Sequence, residues 1–392
     1  MSDTLTLFAT CPRGLEALLA EELAGCGAQD IKPAPGGVGF AGDWRVAYCV
    51  NLRSRLATRV LWRQFEADYR NEQDVYDKVL AHPWPQRFDA GRSLMVKVTA
   101  TRAPLKSLEF VTLRIKDAVC DRFRADAGMR PSVDTRTPDV RVHAYFEANR
   151  FSVYLDLSGE PLYKRGLRQE AGLAPLKENL AAGMLKLAGW KPGIALLDPM
   201  CGSGTILMEA AQMALNIAPG ADRPFGFQKL KGFRLRLWEE MLEAARDEEL
   251  PAKPQPIYGS ELYGKNLKLA QVNVEAAGLA RVIQLKQADV LDLSPPAESG
   301  ILLTNPPYGV RLGDEAELAA FYPKLGDMLK QRFAGWQAHI LSADTRLPKL
   351  IGLKPQRRTP LYNGALECRL YGFELVSGVL RRGPKEAASA PE

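Results

Sequence analysis

The sequence predicts a small α+β unit followed by an α/β domain built on a doubly wound, mostly parallel sheet. Three observations predict it. Beyond residue 160, five short apolar segments (194–198, 256–261, 282–289, 301–305 and 338–344) alternate with helix-patterned stretches. Strands of a parallel sheet, covered by crossover helices on both faces, read this way. The first of these segments runs straight into a Gly-rich turn, "DPMCGSGT" (198–205). Before residue 160, strand-like and helix-like periods are mixed without that regular alternation.

"RGLEALLAEELAGCG" (13–27) is an amphipathic helix with Leu15, Leu18, Leu19 and Leu23 on one stripe, ended by Gly25 or Gly27. "GGVGFAG" (36–42) is a strand with Gly-rich flanks. Residues 48–65 begin as a helix, with Leu52, Leu56 and Val60 on one face, and end in β-branched and aromatic residues. "SLMVKVTA" (93–100) alternates like a strand, and 113–128 is a helix with Ile115, Val119 and Phe123 inward. Residues 140–159 form a hairpin around "ANR". The change of pattern puts the unit boundary at 160–175, and residues 216–255 interrupt the alternation as an insertion. The tail from 381 to 392 has the composition of a disordered segment.

Composition narrows the class. The 392 residues suffice for two or three domains, and a 46% hydrophobic, 25% charged content is that of a globular chain. No apolar run approaches 18 residues, so no membrane span is expected, and the N-terminus lacks the pattern of a signal peptide. The six cysteines are scattered with no CxxC pair. That argues against a structural zinc site or other metal and against a disulfide framework, and suits a reducing cytoplasm. The net charge of +6 matters through its placement. Residues 45–70 hold six arginines against two acids, and 86–136 hold eleven Lys/Arg against six acids. A solvated surface and a nucleic-acid footprint both fit these clusters.

Three acids close three successive strands. Asp198 ends the first, just before Gly202 and Gly204, which let backbone approach a ligand. The turn lacks the Lys and Ser/Thr of a P-loop and a full GxGxxG, and a carboxylate there repels pyrophosphate but suits a cationic amine. Glu261 ends the second strand, where a doubly wound fold puts its ribose-binding acid. Asp289 ends the third and can accept from an adenine amino group. Together they fit an adenosine with a charged amino-acid tail, S-adenosyl-L-methionine.

The fourth strand ends in "LLTNPPYGVRLG" (302–313). The Asn305 side-chain oxygen and the Pro306 carbonyl can accept from the exocyclic amine of a base and aim its lone pair at a methyl group. Two consecutive prolines fix φ and so pre-place these acceptors. Tyr308 can stack on the base once it is extruded.

These residues carry a family resemblance. "DPMCGSGT" and "TNPPYG" resemble the donor-binding and amino-methylating motifs of class I methyltransferases. "LYKRGLRQEAGLAPLKENLAAGML" (162–185), "LDLSGEPLYKRG" (155–166), "ATCPRGLEALLAEEL" (9–23) and "ALECRLYGFEL" (365–375) resemble THUMP-containing RNA guanine-N2 methyltransferases that act on bacterial large-subunit (23S) rRNA. The resemblance implies a Rossmann-like methyltransferase domain at 161–380, preceded by a ferredoxin-like portion (1–44) and a THUMP RNA-binding domain (45–160). It implies donor contacts from Asp198, Pro199, Cys201, Gly202, Gly204, Thr205, Glu261, Asp289 and Asn305, with Lys177 and Glu178 toward the methionine end. It gives the basic clusters an RNA-binding role, for which Arg53, Arg55, Arg59, Arg102, Lys106 and Arg114 are candidates. Glu261 stands where Asp is frequent in the family, and Asn179 where a hydroxyl residue is common. Some relatives carry a second domain that makes 7-methylguanosine; this chain ends first, so that activity is expected to be absent. Two other functions fit the motifs less fully: adenine-N6 methylation of RNA or DNA, and a non-catalytic RNA-binding assembly factor.

Overall fold

The computed structural model of the chain describes residues 4–166, 176–306 and 315–376. Tyr308 and the tail at 381–392 lie outside the described residues. The first half is organised by one seven-stranded sheet. It contains β1 (Leu5–Thr10), β2 (Gln29–Ala34), β3 (Gly37–Gly42), β4 (Arg59–Asp68), β5 (Leu94–Thr101), β6 (Val140–Glu147) and β7 (Arg150–Asp156). Their order is β2-β3-β1-β4-β7-β6-β5, so β4 joins the first three strands to the last three without a break. Helices α1 (Glu16–Gly25), α2 (Trp44–Arg53), α3 (Glu72–Ala81) and α4 (Leu108–Ala127) complete the unit. The inward residues are those that the 3.6 period picks out: Leu15, Leu19 and Leu23 beside α1, and Ile115, Val119 and Phe123 on α4, are all buried, while Leu18 is half-buried. The 140–159 hairpin turns at Ala148, whose φ of +48° is eased by Tyr69 Oη donating to its carbonyl at 2.8 Å.

Two expectations are corrected in this half. The helix expected from residue 48 onward starts at Trp44 and stops at Arg53; Leu56 lies in the bend after it and Val60 in β4. Ser54 is extended and its hydroxyl accepts from Ala57 N at 3.0 Å, which turns the chain before the β-branched run. Cys26 and Cys49, read as unpaired, form a disulfide with Cα atoms 5.6 Å apart. The C-terminal end of α1 lies beside α2, a proximity that no local spacing reports. Cys11, Cys120, Cys201 and Cys368 are free and buried.

The second sheet contains β8 (Leu196–Asp198), β9 (Ile257–Glu261), β10 (Ile283–Gln287), β11 (Gly300–Thr304), β12 (Trp336–Ser342), β13 (Arg357–Asn363) and β14 (Leu366–Glu374). Its order is β10-β9-β8-β11-β12-β14-β13, parallel through the first five strands and antiparallel at the β13–β14 edge. The five apolar segments of the sequence are the five parallel strands. Helices α5 (Glu178–Leu187), α6 (Thr205–Ala214), α7 (Leu235–Asp247), α8 (Gly264–Ala276), α9 (Glu315–Arg332) and α10 (Leu347–Leu350) accompany them. Strand order reverses direction between β8 and β11, so the ligand crevice of this open sheet falls at their C-terminal ends.

The insertion holds the two sheets together. It carries Phe225, Phe227, Phe233 and Trp238, whose rings gather around Tyr48 of α2 at 4.6–6.1 Å where they touch it directly. Backbone bonds add to this: Gly220 N donates to Leu52 O at 2.9 Å and Phe227 N to Leu157 O at 2.9 Å. A Cβ at Gly220 would stand 2.7 Å from Asn51 O, so glycine is what lets the chains approach there. One continuous apolar core runs from the first sheet across to α5, α6 and β9, and a second fills the opposite face around Trp336 and Phe333. No helix among the described residues is long and apolar enough to cross a membrane.

Candidate active site

The C-terminal ends of β8, β9 and β11 meet in one hydrogen-bonded group. Asp198 closes β8 and is 2% exposed. Its Oδ1 accepts from Thr304 Oγ1 at 2.8 Å and from Met200 N at 3.2 Å. Thr304 is the last residue of β11, so this bond ties the Gly-rich turn to the residue just before Asn305 and Pro306. Beyond Asp198 the turn is held by Cys201 N donating to Ser260 O at 3.0 Å and by Ser260 Oγ donating to Pro199 O at 3.1 Å. Gly202 and Gly204 take φ of +53° and +83°, which glycine alone adopts readily, and Gly204 starts α6. Thr205 is the first residue of α6 and is buried. Glu261 closes β9. Its Oε2 accepts from Gly202 N at 3.0 Å, and its Oε1 from Tyr263 N at 3.3 Å and Asn266 Nδ2 at 3.4 Å. Asp289, half-buried beyond β10, uses one oxygen to accept from Leu291 N at 2.9 Å and cap a short turn.

Electrostatics at the site are dominated by burial. Burial pushes the Asp198 carboxyl up to about 7, against the pull of the Thr304 and Met200 donors, and the nearby Glu261 charge adds to the rise. Burial likewise holds the Cys201 thiol well above its ordinary value, with Asp198 and Glu261 adding to the rise, so it is neutral and no nucleophile. The folded-state value of Asp198 lies above the unfolded value of about 3.9, so the folded chain keeps a proton the unfolded chain has lost, and stability falls as pH rises through that window. Relative to wild type, Asp198→Asn is expected to gain stability from pH ~4 to ~7 and then level off. Urea unfolding of both proteins at several pH values measures this; a difference that does not change with pH removes the shift.

The sequence candidates divide into those brought together and those set apart. Asp198, Pro199, Cys201, Gly202, Gly204, Thr205 and Glu261 share one network at the strand ends, with Asn305 and Pro306 directly after β11. Lys177 and Glu178 open α5, but Lys177 places its ammonium 5.0 Å over the Tyr163 ring and lines another cavity. That cavity includes none of the strand-end acids. Sequence reasoning missed Thr304, Ser260 and Asn273, whose Nδ2 donates to Ser203 O at 3.2 Å. Their signal was a polar residue inside an apolar run, as in "LLT" and "GSE".

Among the basic candidates, two are corrected. Arg55 is turned inward onto Glu209 at 3.5 Å and onto the Ile217 carbonyl. Arg59 pairs with the buried Asp156 and donates to Gly159 O at 2.6 Å. Neither guanidinium is left for a phosphate, because each neutralises a buried acid. Arg53 forms a surface pair with Glu248 at 2.7 Å. Arg114 lies over the Tyr76 ring at 4.1 Å and donates to Gln73. Arg102 and Lys106 are exposed, and in α4, which follows them in the chain, Leu108, Phe110 and Leu113 are 46–51% exposed.

A carboxylate-rich strand-end set beside a glycine turn fits an adenosine with a cationic tail better than a pyrophosphate. No cluster of three potential metal ligands occurs among the described residues.

Comparison with known proteins agrees with this chemistry. Residues 165–372 match the RMKL-like methyltransferase domain, 6–61 the RlmL ferredoxin-like domain and 69–156 the THUMP domain. The chain is 40% identical to a protein of Synechocystis sp. named as an RNA methyltransferase, over 95% of this chain and 98% of that one. It is 42% identical to the ribosomal RNA large subunit methyltransferase K/L of Methylococcus capsulatus, over 96% of this chain but 52% of that protein's length. The chain thus spans about half the length of the K/L relatives it matches. A crystal structure described as a methyltransferase complexed with SAH superposes with a TM-score of 0.88 at 29% identity, covering 97% of this chain and 100% of that one.

Proposed function

The chain belongs to the RMKL-like, THUMP-bearing family of S-adenosyl-L-methionine-dependent methyltransferases, and from that premise we propose that it methylates the exocyclic N2 of a guanosine in large-subunit rRNA. The reading is supported by the bond between Thr304 and Asp198, which ties the residue before Asn305 and Pro306 to the start of the Gly-rich turn. When bound, the donor supplies an electrophilic methyl group on a sulfonium. The chain's own residues do the rest. Asp198 faces the cationic tail, Glu261 accepts from the two ribose hydroxyls, and Asp289 accepts from the adenine amine with the oxygen its turn leaves over. The Asn305 side-chain oxygen and the Pro306 carbonyl accept from the guanine amine and point its lone pair at the methyl group. Tyr308 stacks on the extruded base. No strong general base is needed, because the methylated amine loses its proton readily.

The division of labour belongs to the same proposal: residues 1–160 hold the RNA and 161–380 perform the transfer. Support comes from the exposed start of α4, where Phe110 is 51% exposed and the exposed Arg102 and Lys106 precede it along the chain. Such a face suits unpaired RNA, whose phosphates and bases it meets together. Phe110→Ala is expected to weaken rRNA binding about tenfold, from the ~1–3 kcal/mol of one stacked base, with donor affinity unchanged. Filter binding with undermethylated rRNA and donor calorimetry measure the two; equal rRNA affinity would remove α4 from the interface. Methylation of that rRNA with labelled donor tests the function as a whole.

A further inference from the structure

A cavity of about 480 Å³ opens at the junction of the two units, and none of the strand-end acids lines it. Five stretches line it: Arg13 with its neighbours after β1, Gly36 between β2 and β3, Thr58 before β4, the start of α5 with Lys177 and Asn179, and the β13–β14 turn together with Tyr362 at the end of β13. Because β14 runs antiparallel to β12, pairing Arg369 with Ser342, that turn projects beyond the C-terminal ends of the parallel strands. The cavity therefore opens on the same side of the sheet as the methylation loop. Among the described residues, two cations and no acid line it. Glu178, between Lys177 and Asn179, is not among the lining residues, and Glu16, three residues after Arg13, is satisfied by the backbone N–H groups of Gly14 and Gly36, each at 2.8 Å. Arg13 lies 5.8 Å over the Tyr362 ring, so one wall joins a cation to an aromatic face. The lining also includes an unmatched acceptor. Asn179 is wholly buried and donates through Nδ2 to Thr58 Oγ1 at 2.9 Å and to Leu56 O at 3.3 Å, while its Oδ1 has no hydrogen-bond partner. A buried acceptor without a donor is costly unless a ligand supplies the N–H.

An anionic ligand with a flat ring and an N–H donor fits these four features, and the volume is that of a small-ligand site. We propose that this cavity seats a nucleotide of the substrate RNA other than the one being methylated. Its phosphate lies between Arg13 and Lys177, and its base lies on Tyr362 with an amine toward Asn179. The proposal rests on the RNA-methyltransferase reading and adds to it a second point of contact. Two points on one strand, one at Asn305 and one here, fix which base enters the methylation loop. They also make the N-terminal unit, through Arg13, part of substrate selection.

The test pairs kinetics with cross-linking on the full chain, using undermethylated large-subunit rRNA. The Arg13→Ala/Tyr362→Ala double variant is expected to raise the KM for rRNA at least tenfold while the donor Kd stays at the wild-type value, which also reports an intact fold. Tyr362→Phe alone, keeping the ring and Arg13, is expected to leave the rRNA KM near the wild-type value. An unchanged rRNA KM in the double variant overturns the proposal. Wild-type protein irradiated with 4-thiouridine-substituted rRNA supplies the second measurement. Cross-links to the peptides holding Arg13 or Tyr362 support it, and cross-links confined to other peptides overturn it. Failure of the parent reading looks different: no methyl transfer by wild type to any RNA.

Discussion

Asn305→Ala is expected to lower turnover by about 10²–10³ while leaving the donor Kd within twofold of wild type. The amine of a guanine is a poor nucleophile because its lone pair is delocalised into the ring. Acceptors held in place cost no reorganisation at the moment of reaction, and removing one loses transition-state stabilisation that the ground state never enjoyed. In the proposed role Asn305 would be held by its neighbours: Thr304 is wholly buried and bonded to Asp198 at 2.8 Å, and Pro306 is buried after it. Residual activity is expected because the Pro306 carbonyl remains. Single-turnover kinetics and donor calorimetry on the same sample separate the outcomes. A variant that loses donor binding instead would mean that Asn305 serves the donor and not the base.

Glu209→Ala is expected to cost about 3–5 kcal/mol of folding stability. Glu209 sits in α6, 2% exposed, between two arginines: Arg165 at 3.1 Å and Arg55 at 3.5 Å. Arg165 also donates to the carbonyls of Leu162 at 2.6 Å and Arg55 at 2.8 Å. Burial lowers the Arg55 pKa, and the nearby Glu209 charge counters this. Removing the acid would leave two buried cations facing each other. The triad also spans the two units, since α6 follows the donor turn and Arg55 precedes β4. The control is Arg53→Ala. Its partner Glu248 is half-exposed, and loss of such a surface pair costs under ~1 kcal/mol. Urea unfolding of both variants decides: equal small losses would show that the triad holds nothing together.

The sequence was most legible where chemistry and period coincide. Asp198, Glu261 and Asn305 each end an apolar run, so a strand-end position could be inferred from local pattern alone, and the five parallel strands came with them. Legibility failed where the deciding fact was tertiary. Arg55 and Arg59 carry the same charge as Arg102, but only packing decides which guanidinium meets an acid and which meets water. Cys26 and Cys49 stand 23 residues apart with no motif between them. The β13–β14 hairpin has polar residues on its outer strand, as an edge strand does, and so lacks the apolar run that flagged the five inner strands. The insertion read as an interruption of the alternation. Its aromatic residues had no evident purpose until Tyr48 appeared among them.

Whether Asn305 and Pro306 present a guanine amine to the methyl donor is decided by nucleoside analysis of large-subunit rRNA, isolated undermethylated and incubated with the full chain and labelled S-adenosyl-L-methionine. Label is expected in N2-methylguanosine, lost with Asn305→Ala. Label in N6-methyladenosine, or none in any nucleoside, would contradict it.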